Sequence, residues 1–125
     1  MRYARQQIFN SIGKKGQQKL RKSSVAIIGL GALGSVSAEL LARTGIGRLI
    51  LIDRDVVELS NLQMQSLFDE SDIGKPKALA AKEKLNKINS EVEIGFYIDD
   101  LNFNNISNII PINDESNIKN SKFLI

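Results

Sequence analysis

The chain has 125 residues, 42% of them hydrophobic and 25% charged, enough for one compact domain with little room for a second. It contains neither cysteine nor histidine, which excludes disulfides, thiolate metal sites, a cysteine nucleophile and the commonest general base. Its 17 Lys and Arg against 14 Asp and Glu leave a net charge of +3. The remaining inventory of backbone amides, carboxylates, cations and side-chain amides suits the holding of phosphates better than hydrolysis.

In chain order, the polar start Met1-Arg2-Tyr3-Ala4-Arg5-Gln6-Gln7 lacks the apolar core of a secretion signal, and no apolar run approaches the ~20 residues of a membrane span. We therefore expect no membrane partner and a cytoplasmic location. Residues 3–22 read as one or two amphipathic helices with Ile8, Ile12 and Leu20 on one stripe and breaks at Gly13 and Gly16. Their cations, Lys14, Lys15, Lys19, Arg21 and Lys22, lack interleaved aromatics. They read as a solvated helix face and not as a nucleic-acid reader. Residues 1–22 form a helical N-terminal segment in this reading, and residues 23–125 a nucleotide-binding α/β domain.

Val25-Ala26-Ile27-Ile28 is a continuous apolar run, as expected of a parallel strand buried on both faces. The loop Gly29-Leu30-Gly31-Ala32-Leu33-Gly34 follows at once. A helix is expected next over 35–43, with Leu33, Val36, Leu40 and Leu41 at helical spacing and a stop near Gly45 and Gly47. Leu49-Ile50-Leu51-Ile52-Asp53 reads as a second buried strand. A strand, a glycine turn, a helix and a strand ending in an acid form a dinucleotide-type βαβ unit. Gly29 permits the tight turn, Gly31 lets phosphate reach the backbone, and Gly34 lets the helix pack closely. The helix N-terminus supplies unpaired amides and a positive dipole end, and Asp53 can accept ribose hydroxyls. The fold class is α/β, a doubly wound, Rossmann-like and mostly parallel sheet. The loop by itself does not choose between ATP and a nicotinamide or flavin dinucleotide, so an oxidoreductase domain stays open at this point.

The next run is Asp53-Arg54-Asp55-Val56-Val57-Glu58-Leu59-Ser60-Asn61-Leu62-Gln63, followed by Ile73-Gly74-Lys75-Pro76-Lys77. With Arg2-Tyr3-Ala4-Arg5-Gln6 upstream, these elements resemble the ThiF/MoeB/HesA family of ubiquitin-activating-like adenylyltransferases, over roughly residues 2–102. The family pattern is R-Y-x-R-Q, then D-x-D-x-V-x-x-S-N-L-x-R-Q, then G-x-x-K. The resemblance implies an enzyme that binds ATP and Mg2+. It directs attack on the α-phosphate by the C-terminal glycine carboxylate of a small ubiquitin-like sulfur-carrier protein ending in Gly-Gly. It implies that Gly29, Gly31, Ala32 and Gly34 lie beside the nucleotide and Asp53 on the ribose, with Asp55 in the same acidic run. Ser60, Asn61, Leu62 and Gln63 would lie near the phosphates and Lys77 on phosphate oxygens, Asn61 and Lys77 being the catalytic candidates. Arg5 would reach the nucleotide of the second subunit of a homodimer.

Lys77 falls near the start of a helix expected over 76–88, with Pro76 orienting the first turn; a solvated surface lysine is the plainer reading. Asn61 has the plainer reading of a turn residue. Met64 stands where the family carries arginine, and methionine neither donates hydrogen bonds nor carries charge. A third strand is expected over 92–98, a polar loop over 113–121, and the start of a strand at Lys122-Phe123-Leu124-Ile125. The family pattern continues into an aspartate for magnesium, so the chain reads as an incomplete N-terminal portion. The magnesium aspartate and any zinc-binding cysteines are expected only in the absent part. A module that binds ATP or dimerises without turnover is the alternative.

Overall fold

The computed structural model describes residues 1–109 and the strand Ser121–Leu124. Two helices, α1 (Ala4–Gln7) and α2 (Gly13–Arg21), precede β1 (Ser24–Ile28), α3 (Ala32–Thr44), β2 (Arg48–Ile52), α4 (Lys77–Ile88), β3 (Glu93–Tyr97), α5 (Ile106–Ile109) and β4 (Ser121–Leu124). Two 3-10 turns, Leu59–Asn61 and Glu70–Asp72, lie between β2 and α4. Of the loop expected over 113–121, Ser121 instead opens β4, while residues 113–120 and the last residue, Ile125, fall outside the described residues.

The strands pair in the order β3-β2-β1-β4, every pair parallel. Parallel neighbours need crossovers, which α3 and α4 supply for the first two. The order runs outward through β2 and β3 and then returns to the other side of β1. The carboxyl end of β1 is therefore a topological switch point, where open α/β sheets bind ligands.

Alternation along the strands divides the core. Val25, Ile27, Leu49, Leu51 and Ile94 pack with Ala38, Ala42, Ala81 and Leu85 of α3 and α4. Ala26, Ile50 and Ile52 point the other way, towards Ile109. Both faces of β1 and β2 are thus covered, which is why these segments are apolar without interruption.

Two expectations need correction. Gly13 does open α2, but Gly16 lies inside it beneath Ile12, so only the first glycine marks a break, and Ile8 on the expected stripe is exposed. More consequentially, α3 buries its small residues Gly34, Ser35, Ala38 and Ala42, while Leu33 and Leu40 are 68% and 58% exposed. Small side chains bring the helix close to the sheet, and of the large apolar residues only Leu41 packs partly against the core. Among the described residues no helix is long and apolar enough to cross a membrane.

Candidate functional site: a nucleotide cleft at the carboxyl end of the sheet

The glycine loop is built by close approach. Gly29 adopts φ +91, which favours glycine, and its amide donates to the Ile52 carbonyl at 2.8 Å. A Cβ on Gly34 would collide with the Gly29 carbonyl oxygen, whereas one on Gly31 would meet nothing within 4 Å among the described residues. Gly34 thus packs against backbone, while Gly31 faces open space. No side chain caps α3 at Gly31, and among the described residues the amides of Ala32, Leu33 and Gly34 have no acceptor. That leaves a helix N-terminus able to take an anion.

Asp53 stands one residue beyond β2 and is 9% exposed. Its Oδ2 accepts the Leu30 amide at 2.7 Å and its Oδ1 accepts the Asp55 amide at 2.7 Å. The carboxylate therefore ties the glycine loop to the segment after β2, with lone pairs left for a hydroxyl donor.

The Asp55 carbonyl in turn accepts the Lys77 amide at 2.9 Å, which fixes the start of α4 beside it. Pro76 occupies the capping position and Lys77 the first helical one. Lys77 is 7% exposed, which overturns its plainer reading as a solvated lysine, and its ammonium has no acceptor among the described residues. The Asn61 Oδ1 accepts the Glu58 amide at 2.9 Å and so does shape a turn. That bond leaves the Nδ2 donors for the cleft, where Asn61 and Lys77 line a volume of about 410 Å³ with Arg54, Asp55, Val56 and Glu58. A smaller space of about 180 Å³ is lined by Gly29, Asp53, Asp99 and Asp100 together with Arg54.

The structure thus brings together the glycine loop, Asp53, Asp55, Asn61 and Lys77. Ser60 and Gln63 are exposed, Leu62 packs against the core, and none of the three lines either space. Met64 is 54% exposed. Arg5 lies at the far end of α3: Gln6, beside it on α1, donates to the Thr44 carbonyl at 2.9 Å. Tyr3 donates to Glu91 at 2.7 Å and accepts from Asn89 at 2.9 Å, and Arg2 donates to the Ile88 carbonyl at 3.3 Å. Three members of the upstream element therefore dock this segment, while Arg5 projects without a partner among the described residues. Sequence reasoning missed Arg54, Glu58 and Asp100, whose charges read as ordinary surface groups until the fold gathers them.

The model of the ThiF family matches residues 3–117. The chain belongs to the ThiF family. A Bacillus subtilis (strain 168) member, the sulfur carrier protein ThiS adenylyltransferase, is 48% identical over 111 residues, covering 87% of this chain and 33% of that protein. The chain thus spans about a third of that relative's length. Among solved structures, Escherichia coli MccB with ATP is 37% identical with a TM-score of 0.74, over 89% of this chain and 34% of that one. Escherichia coli tRNA N6-threonylcarbamoyladenosine dehydratase, TcdA, is 30% identical with a TM-score of 0.81, over 89% of this chain and 46% of that one. The family and the α/β architecture expected from the sequence are both borne out.

Proposed function

We propose that this chain is the nucleotide-holding part of an ATP-dependent adenylyltransferase that activates the C-terminal glycine carboxylate of a small ubiquitin-like sulfur carrier. The carrying observation is a pair of neighbouring spaces that share Arg54 and Asp55, one lined by Gly29 and the Asp53 carboxylate and the other by Asn61 and Lys77, with an uncapped helix start next to Asp53 through the Leu30 amide. Lys77 lines the cleft with no acceptor for its ammonium among the described residues, which leaves that charge free to take an anion, and the open space at Gly31 among the described residues lets phosphate reach the backbone. The B. subtilis relative is named for adenylation of ThiS, and MccB has been crystallised with ATP.

In this proposal Asp53 accepts ribose hydroxyls, while the α3 amides, Asn61 and Lys77 neutralise the phosphates. The carrier carboxylate attacks the α-phosphorus, the bond to the bridging oxygen of the β-phosphate breaks, and pyrophosphate leaves an acyl-adenylate. No protein nucleophile is needed, and catalysis rests on alignment and electrostatic stabilisation. Among the described residues no group of three or more acidic side chains is arranged to hold a metal ion. Magnesium is therefore proposed as the partner of ATP's phosphates, and no step is routed through it.

We further propose a cytoplasmic homodimer in which Arg5 serves the partner's cleft. The exposed Leu33, Val36 and Leu40 form one face of α3. The 13 residues of α3 span roughly 20 Å at ~1.5 Å each. Two antiparallel copies of this helix would set the Arg5 end of one beside the glycine-loop end of the other.

The test is ATP–pyrophosphate exchange with several carriers ending in Gly-Gly, expected to require both ATP and carrier. ATP binding without exchange for any carrier would sink the adenylation reading. It would support a second reading, nucleotide binding without turnover, which the exposed Met64 in place of arginine favours. Preferential binding of NAD over ATP would point instead to an oxidoreductase domain.

A further inference from the structure

The cleft described above is short of positive charge. Its two spaces, which share Arg54 and Asp55, are lined by five carboxylates, Asp53, Asp55, Glu58, Asp99 and Asp100, against two cations, Arg54 and Lys77. Lys77 lines only the larger space, beside Asn61; Arg54 lines both. A polyphosphate entering such a site meets net repulsion unless both cations turn towards it.

We propose that Arg54 is a further nucleotide-contacting residue, one that grips the phosphate chain where it leaves the ribose; this rests on the ATP-binding reading above. Position comes first: Arg54 directly follows the Asp53 clamp and lies between the Gly29 and Asp53 end of the cleft and its Asn61 and Lys77 end. Availability is the second point. The side chain is 69% exposed, and its Nη1 donates to Asp100 Oδ2 at 3.0 Å while Nε lies 3.8 Å from Asp55 Oδ1. Exposed pairs of this kind contribute little to stability, so exchanging them for phosphate oxygens costs little. Chemistry is the third, because the guanidinium fork binds phosphate oxygens bidentately. Asp100 is then a competitor that holds Arg54 until the nucleotide arrives.

This competition predicts opposite signs for two variants of the full 125-residue chain, read by isothermal titration with ATP and with adenosine. Arg54→Gln should weaken ATP binding about tenfold and leave adenosine binding unchanged, with Arg54→Lys recovering part of the loss. Asp100→Asn should tighten ATP binding about threefold or more, by freeing the guanidinium from a rival carboxylate. Circular dichroism melts of each variant verify that the fold is retained. If the pair were only a strap between the segments after β2 and β3, both variants would weaken ATP and adenosine alike, overturning the inference. ATP binding indifferent to Arg54→Gln would overturn this inference alone. Failure of the unaltered chain to bind ATP would overturn it together with the reading on which it rests.

Discussion

Asp53 and Leu30 are joined by a 2.7 Å hydrogen bond from the Leu30 amide to a buried carboxylate oxygen. The second oxygen of the same carboxylate takes the Asp55 amide. An acid in the position of a ribose acceptor is thus also a bracket that shapes the glycine loop before any nucleotide arrives. Asp53→Ala leaves two amides unpaired, at about 1–3 kcal/mol each where buried. Asp53→Asn, with one acceptor oxygen, should cost about half as much. Urea unfolding without nucleotide checks this. Stability unchanged in both variants would leave Asp53 a ribose ligand and nothing more.

The two loop glycines Gly34 and Gly31 separate packing from ligand access. An alanine at 34 drives its Cβ into the Gly29 carbonyl oxygen. Rigid backbone cannot swing aside as a side-chain tip can, so Gly34→Ala should destabilise by about 3 kcal/mol, the upper end of ordinary overpacking. An alanine at 31 meets no atom within 4 Å among the described residues, so Gly31→Ala should melt like the unaltered chain while binding ATP more weakly. Thermal melts paired with ATP titration distinguish the two, and equal melting losses would contradict the geometry.

The exposed face of α3 gives the proposed dimer its own test. Leu33→Ser with Leu40→Ser removes apolar surface that contributes nothing to the monomer core. The doubly substituted chain should therefore sediment as a monomer at concentrations where the unaltered chain is a dimer, with a similar or lower tendency to aggregate. A dimer that survives both changes places the interface elsewhere.

Met64 offers a gain-of-function measurement. Its side chain is largely exposed, so an arginine fits without disturbing the core. A guanidinium there that donated to the phosphates would be worth on the order of 2–4 kcal/mol in transition states of this type, or roughly a hundredfold or more in rate. Met64→Arg should accordingly raise carrier-dependent ATP–pyrophosphate exchange by a large factor while changing ATP affinity less. A rate left unchanged would mean that this position does not face the phosphates here.

How much of this was legible in the sequence depends on the kind of signal. The runs at 25–28 and 49–52 announce buried parallel strands because both faces are covered, and the glycine loop is readable because Gly29 and Gly34 meet backbone constraints no other residue satisfies. The inner face of α3 was misread because hydropathy favours large side chains. Close packing against the sheet instead selected Gly34, Ser35, Ala38 and Ala42, leaving the leucines outside. Arg54 and Asp100 are 46 positions apart and meet only because β2 and β3 end side by side. No local pattern encodes that meeting. Lys77 is the intermediate case: its spacing places it at a helix start, but its burial emerges only in the assembled fold, where its amide meets the Asp55 carbonyl.

Acid should reveal a charge pair well away from the cleft. Lys84 donates to Asp69 at 2.6 Å, and the Ser71 hydroxyl and amide also donate to the same carboxylate. The Lys84 hydrogen bond, followed by those from Ser71, pulls the Asp69 carboxyl down from 3.8 to about 2. A carboxyl depressed in the folded state adds stability above its unfolded value, near 3.9, and loses that stability as the pH falls through the folded value. Asp69→Asn preserves an acceptor for the 3-10 turn that begins there and removes only the charge. The difference in urea midpoint between the unaltered chain and this variant should therefore be constant from pH 7 to about 5, shrink between about 4 and 2, and vanish below that. Because the pair is exposed, added salt should reduce the difference at neutral pH as well. A difference that persists undiminished to pH 2 would trace the effect of the variant to lost turn hydrogen bonds and not to the ion pair.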